Sequence, residues 1–467
     1  MLPCRYLIGP ALAACLSLPS CGDDGQGPES GDPVCRLTPA LIEFGRVNVG
    51  SYRDMTFRIE NAGGGTLSGT LSESSDDYEI IGDASYALGY GEHKTFTVRF
   101  SPSSIGSKTY AVETGSVRCA AVQCLGIAQV VADYYVDADL GNDQYPGTSI
   151  NPWRTITHAI ASADEHTVIR VRPGTYDEAL GEVFPLILKR GQTLEGDIEN
   201  RGAGIAATVI YGLASVVPPF GSDKAVIQCA DGSIVAGFSI GGPYASQGYG
   251  ICSYNIDVTV LDNTFTSETT DLYGGVRLFG IGDATVGNND FMTTACGVYA
   301  VNFTGSLLLE GNDLRTMSIP VDILSSSSDV IVRGNRIVGN GQVGVQVQSG
   351  TPLIEDNRFE LTGGYATYGA IRCPFDTSNP TVRGNTFICA RGVRIDGNAS
   401  PDLGTAGDPG LNDFSGVSAA PIYHTGPATV YAIGNIWPHD VPLCGTDIVV
   451  TSTGQVIWGS GAGEQCP

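Results

Sequence analysis

The sequence predicts an all-β chain in two parts, a β-sandwich followed by a parallel β-helix. Three observations predict it. Glycine is abundant, 63 of 467 residues, and only 16% of residues are charged, the composition of a folded, turn-rich chain. Period-two runs fill the first part: "MTFRIEN" puts Phe57 and Ile59 on one face, and "KTFTVRF" groups Phe96, Val98 and Phe100. From residue 258 onward one short phrase keeps returning, as "VTVLDNTF", "LLLEGNDL", "VIVRGNRI", "PLIEDNRF", "PTVRGNTF" and "YAIGNIW".

Residues 1–20, "MLPCRYLIGPALAACLSLPS", carry one charge, Arg5, and an apolar run too short to span a bilayer. They read as a secretory leader. The junction "LPSC" resembles the lipobox of bacterial lipoproteins, whose cysteine becomes the lipidated first residue. Cys21 fits best; Cys15 in "LAAC" also matches but leaves a very short apolar run before it. The resemblance implies a protein exported to the cell envelope, at the outer membrane or cell surface, whose only membrane attachment is an N-terminal lipid. Residues 21–33 are a polar linker. The formal charge of −24 argues against nucleic acid or an anionic membrane surface as partner.

Removing the leader takes away Cys4 and Cys15, and lipid would occupy Cys21. Ten of the 13 cysteines remain, an even number that suggests disulfides in an exported chain. The first pairing expected is Cys444 with Cys466. No CxxC pair occurs, so no metal site is expected.

Residues 34–130 form the first domain. Its strands are broken by "NAGGG" and "SPSSIGS", as in a β-sandwich of about a hundred residues. "LTPALIEFGRVNVGS", "FRIENAGGGTL", "FTVRFSPSSIG" and "CLGIA" resemble the Hydin-type (ASH) immunoglobulin-like domain. The resemblance implies a spacer or interaction module.

The second domain, residues 133–467, holds the repeats. They align on Asn263, Asn289, Asn312, Asn335, Asn357, Asn385, Asn412 and Asn435, at intervals of 22 to 28 residues. Two positions on stands Phe265, Phe291, Leu314, Ile337, Phe359, Phe387, Phe414 or Trp437. Three positions before stand Val260, Val286, Leu309, Val332, Ile354, Val382, Pro409 and Ala432, a row broken only by Pro409. The residue before each asparagine is Asp, Asn or Gly, which tolerate a left-handed backbone, except Leu411. "VAGFSI" reads as an earlier coil with Phe238 in the asparagine position. This period with short strands marks a parallel β-helix, in which asparagines stack as a hydrogen-bonded ladder and aromatic side chains stack inside.

Ile156, Ala159, Ile160 and Ala163 recur at helical spacing, predicting a short helix over the solenoid's open N-terminal end. "YVDADLGNDQYPGTSINPWRTITHAIASA", "TVIRVRPGTYDEALGEVFPLIL", "PDLGTAGDPGLNDFSG" and "AIGNIW" resemble a bacterial family of unknown function with the pectin-lyase-like fold. The resemblance covers about residues 133–467. It implies a right-handed β-helix and a relation to polysaccharides, and no particular reaction.

A second strand in each coil is read as following a glycine, as in "GICSY", "GVRLF", "GVYAV", "GVQVQ" and "GVRID", with "VDILS", "AIRCP" and "PIYHT" as the corresponding stretches of the other coils. If its first apolar residue points inward, the next points out. That outward column holds Cys252, Arg277, Tyr299, Asp322, Gln346, Arg372, Arg394 and Tyr423, with Tyr254, Phe279, Gln348 and Asp396 beside it. Arginines, tyrosines and amides are groups that sugar hydroxyls and carboxylates meet, so Arg277, Tyr299, Asp322, Gln346, Arg372, Arg394 and Tyr423 are the candidate glycan-binding residues. An ordinary solvated face is the alternative.

Glycoside hydrolysis needs two carboxyl groups about 5 to 9.5 Å apart. Asp322 and Asp396 lie three coils apart, roughly 14 Å at the sheet spacing. Asp376 with Asp396, beside Arg394, is the remaining catalytic candidate set. A calcium-assisted lyase would need converging carboxylates that the sequence does not supply, so calcium is unsupported and no cofactor is expected. "DADLGND", with Asp137, Asp139 and Asp143, reads as a capping turn. The leading expectation is a monomeric envelope protein that binds polysaccharide, or another envelope component, without catalysis. A polysaccharide lyase or glycosidase working in the groove, and a purely structural adhesion or spacer module, are the alternatives.

Overall fold

The computed structural model describes residues 31–72, 75–129, 132–216, 222–266, 272–293, 295–315, 318–325, 329–339, 343–362, 368–459, 461 and 463–467. The leader, Cys21 and the linker up to residue 30 lie outside the described residues. The chain divides into two compact units that meet in sequence between Val130 and Val131.

In the first unit the period-two runs become strands. Arg53–Asn61 and His93–Phe100 pair antiparallel at the centre of a four-stranded sheet, edged by Cys35–Thr38 and Tyr78–Ile81. Leu41–Asn48, Val122–Gln129 and Gly106–Val112 make a second sheet. Alternation sends Phe44, Phe57, Ile59, Phe96, Val98 and Phe100 into one shared core. The Phe44 ring meets Tyr78 and Phe100 at 5.6 Å each. A Cys35–Cys119 disulfide closes a separation of 84 residues.

The second unit is a right-handed parallel β-helix. Each coil contributes a strand to a first sheet, turns at the asparagine, enters a second sheet, and passes into a third. One complete coil reads Val258–Leu261, Asn263, Thr264–Phe265 and Gly274–Phe279. The next coil stacks on it in parallel register, Val260 on Val286 and Phe265 on Phe291. The first sheet runs through ten strands in this way.

Asn263, Asn289, Asn312, Asn335, Asn357, Asn385 and Asn412 are buried, and each bonds to the next asparagine in the row, which ends at half-buried Asn435. The backbone N–H and the side-chain amide of Asn289 both donate to Asn312 Oδ1, at 2.9 and 3.0 Å, and the amide also donates to the Val260 carbonyl at 3.0 Å. The same pair of hydrogen bonds joins Asn263 to Asn289, Asn312 to Asn335, Asn335 to Asn357, Asn357 to Asn385, Asn385 to Asn412, and Asn412 to Asn435. Phe238 continues the row with its backbone alone, its N–H donating to Asn263 Oδ1 at 3.1 Å.

Inside, Phe265 and Phe291 stack at 4.6 Å and 1°, and Phe359, Phe387 and Phe414 form a second stack at 5.0 and 4.8 Å. These rings explain the glycine that opens the third-sheet strand. A Cβ on Gly275 would stand 2.4 Å from the Phe291 ring, and one on Gly344 2.8 Å from Phe359.

Helix α1, Ile156–Ser162, is the only helix among the described residues. It buries Ile156, Ala159 and Ile160 in the β-helix core. Asp143 is committed to its start, accepting from Arg154 N, Thr155 N and Thr155 Oγ1. Asp137 accepts from the backbone of Asp139 and Leu140 and pairs with Arg172. "DADLGND" is thus a capping turn, and among the described residues no group of three or more His, Cys, Asp or Glu is placed to hold a metal ion.

One expectation changes. The row broken at Pro409 is completed by Leu403, fully buried, whose carbonyl accepts from the Asn435 amide at 2.9 Å. The coil makes an excursion between that leucine and Asn412. The expected disulfide Cys444–Cys466 is present, and Cys35–Cys119 is a second. Cys124, Cys229, Cys252, Cys296, Cys373 and Cys389 are buried free thiols. The coil register explains two of them: Cys296 lies beside Ile319, and Cys373 beside Ile395, with no second thiol opposite.

Candidate functional site

The third sheet positions the candidate side chains. Its inward residues Ile251, Val276, Val298, Val321, Val345, Ile371, Val393 and Ile422 are fully buried. Pleating turns the following residue outward. Register then sets Cys252, Arg277, Tyr299, Asp322, Gln346, Arg372, Arg394 and Tyr423 one above the next. At one rung every ~4.8 Å these outward groups make a continuous strip.

The strip is buried at Cys252, Asp322 and Gln346 and half-buried at its other rungs, and its beginning is closed. Cys252 packs under Val216, Ala225 and Tyr249. Arg277 follows, with a side chain only 15% exposed, paired with buried Asp223. Its guanidinium lies over the rings of Tyr249 and Tyr299, 5.3 and 5.1 Å from their centroids. Tyr254 and Phe279, in the neighbouring column, stack at 5.1 Å and 10°. They form a flat aromatic platform of the kind a sugar ring can cover.

Asp322 occupies the middle, 8% exposed. Gln348 donates to both of its oxygens, at 2.9 and 3.0 Å, and Gln346 donates to one at 3.3 Å. Burial pushes its carboxyl above the ordinary range, against those bonds and the Arg372 charge. Gln346 Oε1 accepts from Arg372 Nη1 at 3.2 Å. Beyond it, Arg394 Nε donates to both oxygens of Asp396, at 2.9 and 3.1 Å. Arg372 Nε lies 3.6 Å from the same carboxylate, and Thr425 Oγ1 donates to it at 3.0 Å.

Asp376 is elsewhere. It sits exposed on the turn after the strand Ile371–Cys373, and both its oxygens accept from Asn398, at 2.8 Å. Those bonds hold its carboxyl below the ordinary range. Asp376 therefore caps a turn, and the carboxylate beside Arg394 is that of Asp396.

Several groove residues lie outside the repeat phrase. Asp223 and Tyr368 stand on segments between coils, where periodicity gives no position. Arg391 precedes the Gly392 corner, so its parity differs from that of Arg394, yet its guanidinium lies 3.9 Å over the Tyr423 ring. The signal that could have found Arg391 is its place three residues before Arg394 in "RGVRID".

Stacked coils, an asparagine ladder and a row of outward polar side chains define a parallel β-helix protein. The chain belongs to the family described as "Protein of unknown function (DUF1565)", whose profile matches residues 140–444. No curated protein matches it by sequence. Among solved structures it is similar to the GH136 lacto-N-biosidase from Eubacterium ramulus, at 12% identity and TM-score 0.33, with 64% of each chain covered. The chain thus spans less than two thirds of that protein's length. It is also similar to the catalytic unit of the thermostable GH87 alpha-1,3-glucanase from Streptomyces thermodiastaticus, at 15% identity and TM-score 0.37, covering 87% of this chain and 89% of that one. A rhamnogalacturonan lyase matches at 14% identity and TM-score 0.20, covering 64% and 74%. Identities this low say nothing about substrate.

Proposed function

We propose that the groove of the third sheet binds a polysaccharide, or another glycan of the cell envelope, without cleaving it. The observation that carries this reading is the continuous strip from Arg277 to Tyr423, buried or half-buried, in which cationic, aromatic, acidic and amide side chains stand at one rung per coil. Sugars are held by such mixtures of planar apolar faces and hydrogen-bonding groups. Catalysis has weaker support. The Asp322 and Asp396 rungs are roughly 14 Å apart at the sheet spacing, Gln346 and Arg372 stand between them, and the Asp396 oxygens are taken up by Arg394, Arg372 and Thr425.

One observation favours a hydrolase instead: Asp322 is a buried carboxyl with a raised pKa in an open groove, the condition of a general acid. In the same reading the leader and Cys21 anchor the protein to the envelope by lipid. The first unit, with its resemblance to an immunoglobulin-like domain, serves as spacer.

The test is to incubate the protein with a panel of neutral and acidic polysaccharides, with and without calcium, following binding, new reducing ends and unsaturated products together. Saturable binding without products, lost in an Arg372→Ala, Arg394→Ala double variant, is the expected result. Turnover would replace it with the enzymatic reading, and Asp322→Asn would then be the first variant to assay.

A further inference from the structure

We infer that the β-helix carries a second carbohydrate site, a pocket for one neutral pyranose residue, where the second sheet ends in the coils that precede the strip. This site goes beyond the strip and does not depend on it. The pocket has a volume of about 250 Å³ and is lined by Asp177, Glu178, Tyr211, Gly212, Leu213 and Pro243.

Three coils build the pocket, and two glycines keep it open. Asp177, Tyr211 and Gly241 stand in register on successive coils, each at the last position of a second-sheet strand. A Cβ on Gly241 would lie 3.2 Å from the Tyr211 ring, so the ring occupies space that a side chain there would need. Gly212 is fixed from inside, since a Cβ on it would stand 2.1 Å from the Phe184 ring. The Tyr211 side of the pocket is therefore unfilled, and Tyr211 is 46% exposed. Leu213, half-buried, and Pro243, exposed, add apolar walls. The rest of the lining is polar. Asp177 is held by its own turn, its Oδ1 accepting from Leu180 N at 2.9 Å, and Glu178 beside it is exposed.

This mixture matches one sugar ring. A half-open aromatic ring with apolar walls suits the C–H face of a pyranose, and carboxylate oxygens accept from its hydroxyls. The volume lies below the roughly 300 Å³ at which pockets for drug-sized ligands begin, which leaves room for a single ring and not for a chain. Two carboxylates line the pocket, and among the described residues no Lys or Arg does. An anionic sugar would meet like charge there, so the ligand is neutral.

The experiment is saturation-transfer NMR on the full chain. The probes are the methyl glycosides of glucose, galactose and mannose, methyl glucuronide, and Nα-acetyl-lysine amide. Saturable transfer is expected from at least one neutral glycoside, with a dissociation constant on the order of 1 mM, the range open to so small a ligand. The glucuronide should bind about tenfold more weakly or worse. Tyr211→Ala and Glu178→Gln should each weaken the neutral sugar by about tenfold, while Tyr211→Phe, which keeps the ring, should retain most of the binding. Thermal melts check that these variants fold. The strip variant Arg372→Ala, Arg394→Ala should bind the same sugar as the parent does. Transfer from none of the three neutral glycosides overturns the pocket, as does transfer that survives Tyr211→Ala. Equally tight binding of the glucuronide or of the lysine amide overturns it too. Loss of the sugar in the strip variant also overturns it, and assigns the binding to the strip.

Discussion

The asparagine corner and the third-sheet groove are built by the same coils at the same pitch, and they use that regularity in opposite ways. At the corner every rung repeats one chemical group. Asn289, Asn312, Asn335, Asn357 and Asn385 are each buried to 1% exposure or less and pass the same two hydrogen bonds to the next rung. In the groove the backbone register is as regular, yet the rungs run Arg, Tyr, Asp, Gln, Arg, Arg, Tyr. Stacking identical groups satisfies buried amides among themselves. Stacking different groups leaves surface that a ligand can use.

The largest test of that contrast is Asn312→Ala. It removes the acceptor of the buried Asn289 N–H and one of the two acceptors of the Asn289 amide, which keeps the Val260 carbonyl, at an expected cost of about 4 kcal/mol in chemical denaturation. Phe387→Ala, which opens the middle of the inner stack, should cost about 3 kcal/mol by the same assay. Tyr423→Ala should do the reverse of both. It should change stability by about 1 kcal/mol or less while measurably weakening glycan binding, since its ring is half-buried at the groove. A loss of stability as large as that of Asn312→Ala would erase the distinction between the two regions.

Two smaller changes should stabilise. Leu411, 63% exposed, is held at φ +53° before Asn412, where its neighbours in the row are Gly, Asn or Asp. Leu411→Gly should gain about 1 kcal/mol. Asp322→Asn is best read through pH. Burial raises the folded-state pKa of Asp322, so the unfolded chain releases this proton first. Its contribution to stability is therefore complete below the ordinary carboxylate range. It is lost as pH rises from there through the folded-state value. The variant should gain on the parent over that window, and parallel pH curves for the two proteins would show that Asp322 is not desolvated.

The corner and the column were legible in sequence for one physical reason: both are tied to residues that the core must repeat. The glycine before several third-sheet strands is required by a ring beneath it, as at Gly250, Gly275, Gly344 and Gly392, and it marks which residue follows inward and which outward, while Pro320, Ala370 and Pro421 take its place in other coils. What lies between coils has no such constraint. Tyr368 and Asp223 enter the groove from connections of variable length, and Arg391 from a corner where alternation breaks. Asp376 was open to misplacement for the same reason, since a residue just past the strand end has no pleat to aim it. The free thiols were hidden because parity counts cysteines and not their neighbours across the coil.

The ladder also makes the length of this molecule a matter of whole numbers. Asn312 and Asn335 occupy equivalent places and bond their successors in the same way, so a coil removed from between them leaves two ends that already fit. The groove would shorten by one step of about 4.8 Å, and no buried amide would lose its partner. A protein built this way can be refitted to a longer or shorter partner by deleting or duplicating a stretch of some two dozen residues, leaving the ends as they are.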